Sequence, residues 1–247
     1  MQINIYELKR QSRETIKSGL ANKPMQMTTA VLAYLCVIYL LSILISSLSG
    51  YGDYASQLYT VYNSGGDPFT VAYPAVQPAA WVLAAAVFVM KPIMEAGFVS
   101  FSLHVTRGIE AGYRTIFDGF GFFTRTLAIT LMQTAATYIG LFLFIIPGIY
   151  LYYRYRLAVY VMFDHPEMSA MACMRESARL TKGYKMGLFI LDISFIGWLL
   201  LGNFVTALFL PVLDVYIIPY MGFARAGFYN ILAGQAAPPQ KKPDWEV

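Results

Sequence analysis

Residues 25–48 contain no Lys, Arg, Asp or Glu. An uncharged apolar run of this length sets the solvent before it sets the fold. About 20 residues at a helical rise of about 1.5 Å cross a hydrocarbon core roughly 30 Å thick, and in lipid the backbone must bond to itself. Five further runs meet or approach that length, at 79–103, 124–146, 148–163, 187–210 and 215–233. Composition points the same way: 57% of residues are hydrophobic and 13% charged, against roughly 25% charged in a soluble domain. The expectation is an all-α fold, a polytopic transmembrane helix bundle of about six spans with amphipathic cytoplasmic helices.

Three segments follow from this reading. Residues 1–24 are expected to be a cytoplasmic amphipathic helix, and their polar character with no apolar core before Met25 speaks against a cleavable signal peptide. Residues 25–233 form the transmembrane domain, with an outer loop at 49–78 and a cytoplasmic helix within 164–186. Residues 234–247 make a disordered cytoplasmic tail. Pro147 and Gly148 separate the third and fourth runs, and a proline beside a glycine breaks a helix, so a tight hairpin is expected there. The fourth run is short and carries Arg154 and Arg156. It is therefore read either as a span or as a re-entrant segment.

Basic residues favour the cytoplasmic side of short loops. Here they gather on alternate connections: Lys9, Arg10, Arg13, Lys17 and Lys23, then Arg107, Arg114 and Arg125, then Arg175, Arg179, Lys182 and Lys185, and finally Lys241 and Lys242. The stretch 49–80 has none. Both termini are expected in the cytoplasm. The net charge of +4 is spread over these short segments and forms no single stripe, which argues against nucleic acid as a partner. The outer loop carries Tyr51, Tyr54, Tyr59, Tyr62 and Tyr73, amphipathic rings suited to the membrane interface.

Two basic segments have helical amphipathicity. In the first, Ile5, Leu8, Ile16 and Leu20 fall near one side, with Lys9, Arg10, Arg13 and Lys17 largely opposite. In the second, 168–182, Met171, Met174 and Ala178 face away from Arg175, Glu176, Arg179 and Lys182, and Gly183 is a natural stop. Both are expected to lie on the bilayer surface with Lys9, Arg10, Arg13, Lys17, Arg175, Arg179, Lys182 and Lys185 on anionic lipid headgroups. A faint repeat also emerges. Segments 13–19, 114–119 and 179–183 each close a basic stretch before an apolar run, dividing the chain into three units of one cytoplasmic helix and two spans.

The region 153–198 resembles the DUF975 family of uncharacterised bacterial integral membrane proteins. The resemblance is carried by Tyr153, Tyr155, Tyr160, Asp164 and Pro166, then Ser177, Gly183, Lys185, Phe189, Leu191 and Asp192, and by Ser194 to Trp198. Pro219, Tyr220, Ala226, Phe228 and Tyr229 are similar to the family's closing pattern. The resemblance implies a multi-pass protein of the bacterial plasma membrane, and implies no reaction, substrate or cofactor.

Ionisable side chains inside apolar runs are costly and are functional candidates by default. Lys91 and Glu95 lie four apart on the second run, with Pro92 between them. Arg154, Arg156, Asp192 and Arg225 form a second set, in which an Arg225 to Asp192 pair would tie the last two runs together. Gly197, Trp198, Pro219 and Tyr220 are read as shaping the interior, with Gly183 and Ser194 in the same motif. Gly108 with Gly112, and Gly183 with Gly187, are read as caps and close contacts. Cys36 and Cys173 are read as buried small residues. His104 and His165 stand on different segments without metal-ligand spacing, and no nucleophile elbow or phosphate-binding glycine loop occurs. The reading is a non-enzymatic membrane accessory or scaffold that engages lipid or protein partners and needs no cofactor or metal. A transporter built around Lys91 and Glu95 is the alternative, and a membrane enzyme ranks last.

Overall fold

The computed structural model describes residues 3–22, 24–73, 78–208 and 213–234. Among them there is no strand. The helices are α1 (Ile5–Asn22), α2 (Pro24–Leu48), α3 (Tyr51–Asn63), α4 (Pro78–Thr106), α5 (Asp118–Gly121), α6 (Phe123–Leu143), α7 (Ile145–Tyr155), α8 (Ala158–Asp164), α9 (Ala170–Leu180), α10 (Lys185–Ile193), α11 (Ile196–Leu208) and α12 (Asp214–Leu232). The protein is all-α, and among the described residues four helical stretches are long and apolar enough to cross a membrane: Thr28–Ser47, Pro78–Thr106, Phe123–Leu143 and Lys185–Val205. Lys23, Lys241, Lys242 and the 235–247 tail lie outside the described residues, as does the side chain of Leu20.

The chain divides into two compact units, residues 34–91 and residues 1–33 with 92–247. Within the first, the stretch expected as an open loop contains a 13-residue helix, α3. No proline interrupts it before Pro68, and Gly50 at φ 66° turns the chain into it. Tyr73 packs back on Tyr54, with ring centroids 5.0 Å apart. Cys36 is exposed here, contrary to the expectation of a buried thiol, because it falls on the face of α2 that this unit leaves open.

The second unit is built around α12. Ile217, Tyr220, Phe223, Phe228 and Tyr229 are all buried, and they meet Phe101 of α4 (6.1 Å to Phe223) and Phe195 ahead of α11 (4.8 Å to Tyr220). Gly222 lets α4 close in, since a Cβ there would lie 2.6 Å from the Phe98 ring. The run 215–233 is thus a core helix enclosed by protein. The α1 helix also differs from its expected place. Leu8, Ser12 and Ile16 are buried on one stripe, and Leu8 faces Gly227 of α12. Its apolar side is covered by protein where lipid was expected, because α12 offers a continuous apolar partner.

The break between the third and fourth runs comes at Phe144, whose backbone is extended. It precedes Pro147 because proline is tolerated in a first helical turn, where its missing N–H has no partner to lose. Gly148 acts by contact: a Cβ on it would lie 2.8 Å from the Leu141 nitrogen, and one on Gly140 would lie 2.8 Å from the Gly148 Cα. The fourth run is not one helix. Around Arg156 and Leu157 the chain steps from α7 to α8, and α9 satisfies the exposed backbone: Ser177 Oγ accepts from the Leu157 N–H (3.2 Å) and donates to the Arg154 carbonyl (3.0 Å), which also accepts from Thr181 Oγ1 (3.2 Å).

That role sets the face of α9. Ser169 caps its start by accepting from the Ala172 N–H at 3.3 Å, and Cys173, Met174, Ser177 and Thr181 are buried. Of the apolar face read from the sequence, Met174 is buried and Met171 is exposed, because hydrogen bonding to Arg154 sets the packed contact toward Ser177. Gly183 follows at φ 84° and Gly108 at φ 73°, left-handed caps as read from the sequence. A Cβ on Gly187 would lie 3.5 Å from the Phe228 ring, an ordinary contact, and one on Gly112 or Gly197 would meet nothing within 4 Å. Gly197 therefore does not serve close packing.

Candidate functional site: buried charges at the helix ends

The C-terminal ends of α4, α8 and α12 meet in one polar joint. Arg107, just past α4, donates through Nη1 and Nη2 to both carboxylate oxygens of Asp164 at 2.6 and 2.9 Å. The same guanidinium donates through Nε and Nη2 to Asn230 Oδ1 at 3.0 and 2.9 Å. Tyr229 donates to Asp164 Oδ2 at 2.7 Å, and Asn230 Nδ2 donates to Thr106 Oγ1 at 3.2 Å. Only 5% of the Asp164 side chain is exposed, so its charge is compensated by a planar fork and a phenol. A cavity of about 150 Å³ opens beside it, lined by residues that include Ser100, His104, Arg107 and Asp164.

Each member comes from the end of one sequence unit. Arg107 follows the apolar run of the first, Asp164 closes the second, and Tyr229 with Asn230 closes the third. The segment after Arg107 is held by short contacts to α4. A Cβ on Gly97 would sit 1.6 Å from the Ile116 carbonyl oxygen and one on Gly119 2.1 Å from that of Ile93, while Ser100 donates to Asp118 Oδ2 at 2.9 Å.

A second charged group lies one turn back along α12. Arg225 Nε donates to Asp192 Oδ1 at 2.8 Å, so the residues read as a pair from the sequence are in contact. Tyr153 donates to Asp192 Oδ2 at 3.3 Å. Arg156 packs over the Tyr152 ring at 5.0 Å, and Arg154 over Tyr155 at 5.7 Å. Lys91 and Glu95 are exposed residues of α4; Lys91 ends the 34–91 unit and Glu95 belongs to the other.

Of the residues read as headgroup contacts, Lys9 is engaged inside the protein. It donates to Ser194 O and Oγ at 3.1 and 3.2 Å and lies 4.6 Å from the Phe195 ring centroid. Burial, and then Arg13 beside it, hold its ammonium below the usual lysine range. Arg10 pairs with Glu7 at 2.7 Å, and Arg179 donates through Nε to Glu176 at 2.8 Å. Arg13, Lys17, Arg175 and Lys182 are exposed. Trp198 lies 6.1 Å from Tyr216, and Pro219 and Tyr220 are buried in α12. Among the described residues, no group of three or more His, Cys, Asp or Glu is placed to hold a metal ion.

Sequence reasoning missed the joint. Arg107 was counted only as a topological charge, Asp164 and Tyr229 carried only the family resemblance, and Asn230 was not singled out.

No curated protein and no solved structure matches the chain. Over residues 128–236, a segment that holds Asp164, Asp192, Arg225, Tyr229 and Asn230, it matches the family model described as a protein of unknown function (DUF975).

Proposed function

We propose that this membrane protein is a non-enzymatic accessory or scaffold of the bacterial plasma membrane, with both termini in the cytoplasm, that engages anionic lipid through its basic surface helices. The observation that carries the reading is a division of labour among charges. Both interior carboxylates at the helix ends, Asp164 and Asp192, are bonded by an arginine, Arg107 and Arg225, while Arg13, Lys17, Arg175 and Lys182 point outward. Buried pairs of this kind hold helices in register and leave little free charge for chemistry. Outward cations on helices beside a bilayer meet phosphate, each contributing about 1 kcal/mol near an anionic surface. The orientation draws its support from the positive-inside asymmetry of the loops and from the shared end at which α4, α8 and α12 finish.

The test is lipid selectivity of the full chain. Purified in a neutral detergent and titrated with phosphatidylglycerol or phosphatidylcholine, the protein should retain more of the anionic lipid by native mass spectrometry. Replacing Arg13, Lys17, Arg175 and Lys182 by Gln should lower that preference. Equal retention of the two lipids by the unaltered protein would sink the reading. A transporter centred on Lys91 and Glu95 makes a different demand, since Lys91→Ala would then have to change solute flux in proteoliposomes.

A further inference from the structure

The stretch Lys185–Val205 is long and apolar enough to cross a membrane, yet it is not one helix. The α10 helix ends at Ile193 and α11 starts at Ile196. Proline, a common cause of such a break, does not occur between 185 and 205. The backbone bonds show where the ladder parts. The Phe195 N–H turns back to the Asp192 carbonyl at 3.1 Å, and the first bond of α11 runs from the Leu199 N–H to the Phe195 carbonyl at 3.0 Å. In an uninterrupted α-helix the Ser194 carbonyl would accept from the Trp198 N–H, four residues on. Here it accepts from the Lys9 ammonium at 3.1 Å, across 185 positions of sequence.

Lys9 is fitted to this place. Ser194 Oγ is a second acceptor at 3.2 Å. The ammonium lies 4.6 Å from the Phe195 ring centroid and 5.9 Å from that of Tyr220, and the two rings meet edge to face at 4.8 Å. Aromatic faces attract an ammonium that has left water. Leu8, Ser12 and Ile16, buried along α1, fix the helix that delivers it. Ser194 Oγ also donates to the Leu191 carbonyl at 2.6 Å, a local bond of the kind that bends a helix without opening its ladder. The donor that reaches the freed carbonyl from outside the run is Lys9.

We propose that Lys9 holds open a break in what is otherwise a single membrane-length helix, so that 185–208 is a two-state element: broken with α1 docked, continuous with Lys9 withdrawn. A side chain inserted into the backbone ladder is a recognised cause of a sharp kink. The Ser194 carbonyl exchanges one donor for another between the two states, which keeps them close in free energy. On one side of the break Asp192 bonds Arg225, and at the break Phe195 packs on Tyr220. Closing the ladder therefore shifts the contacts that seat this run against α12. Through Lys9, α1 is a strap by which an event at the N-terminal helix reaches the core.

The test is amide hydrogen exchange of the full chain in neutral detergent, read at Trp198. Its N–H lies in the first turn of α11, whose donors have no partner within the helix. Lys9→Met keeps the length of the side chain and removes the donor. The ladder should then close, slowing exchange at Trp198 by about fivefold, the worth of one net hydrogen bond. Loss of a merely structural contact predicts the opposite sign, because undocking α1 would loosen this region. Faster or unchanged exchange at Trp198 in folded Lys9→Met overturns the two-state element. If Lys9→Met does not fold, Ser194→Ala carries the test: it keeps the carbonyl, removes one of the two acceptors of the ammonium, and should slow Trp198 by a smaller factor. Faster or unchanged exchange there overturns the element equally. The lipid preference proposed above stands or falls separately, since Lys9 is not among the outward cations on which it rests.

Discussion

The joint at Arg107 and the hairpin at Phe144 are both places where helices meet, yet they are held in opposite ways. At the joint, three helix ends are fixed by directional bonds between charged and polar groups, with Asp164 almost wholly enclosed. At the hairpin, α6 and α7 touch backbone to backbone through Gly140 and Gly148, and everything beyond is apolar and outward. A charge network tolerates little loss because each missing partner strands another buried group. A glycine contact loses only packing, and its cost scales with the clash introduced. The largest expected effect is therefore at the joint. Arg107→Ala leaves the Asp164 carboxylate with only a phenol donor and should destabilise the fold by about 3–5 kcal/mol, read as a drop in Tm in detergent. A change within the error of the Tm would mean that the three ends are held by apolar packing alone.

The hairpin should be the softer of the two. Gly148→Ala adds a methyl 2.4 Å from Leu141 Cγ as well as close to its backbone nitrogen, and should cost about 1–3 kcal/mol as the arms part. Gly197→Ala, with nothing within 4 Å of the added carbon, is its control. If both alanines behave alike, the α6–α7 contact does not depend on glycine. A helix-favouring alanine at Gly197 should stabilise slightly, by up to about 1 kcal/mol.

This contrast also marks how far the residues alone could be read. Apolar runs without charge announce membrane helices because lipid leaves the backbone no other solution, and the helices at 24–48, 78–106 and 123–143 follow directly. Arg225 and Asp192 were legible as partners because two ionisable residues in neighbouring apolar runs need each other. The fate of 148–163 was not legible. Its break depends on Ser177 and Thr181, twenty or more residues away, supplying bonds to Arg154 and Leu157. The same is true of α1, whose amphipathic stripe suits lipid or protein equally and packs Leu8 beside Gly227 of α12. Arg107 was legible only as a charge on a loop, since nothing local separates a topological arginine from one that reaches Asp164.

The step from α7 to α8 should show a cost comparable to that of the hairpin. Ser177→Ala removes an acceptor for the Leu157 N–H and one of two donors to the Arg154 carbonyl. Leaving a buried amide unpaired costs about 1–3 kcal/mol. Hydrogen exchange should show faster exchange at the Leu157 amide, with little change at Tyr229. Equal acceleration at both sites would mean that the step and the joint open as one unit, dissolving the distinction drawn between them.

The smallest effect belongs to a charge that the joint does not enclose. Glu176, partly exposed on α9, is held below the ordinary carboxylate range first by the hydrogen bond from Arg179, against the opposing effect of burial, with the Arg179 charge adding to the lowering. A carboxylate whose folded-state value is depressed binds its proton less readily when folded than when unfolded. Its contribution is present above the unfolded-state value and is lost as pH falls through the folded-state value. Glu176→Gln should therefore lower Tm slightly near neutral pH, and the gap to the unaltered protein should close in acid below the usual carboxylate range. Added salt should shrink it further, since Arg179 is exposed and screened. A gap that persists in acid, or that matches the effect of Arg107→Ala, would show that this outward pair is structural in the same sense as the buried one, and that enclosure is not what separates them.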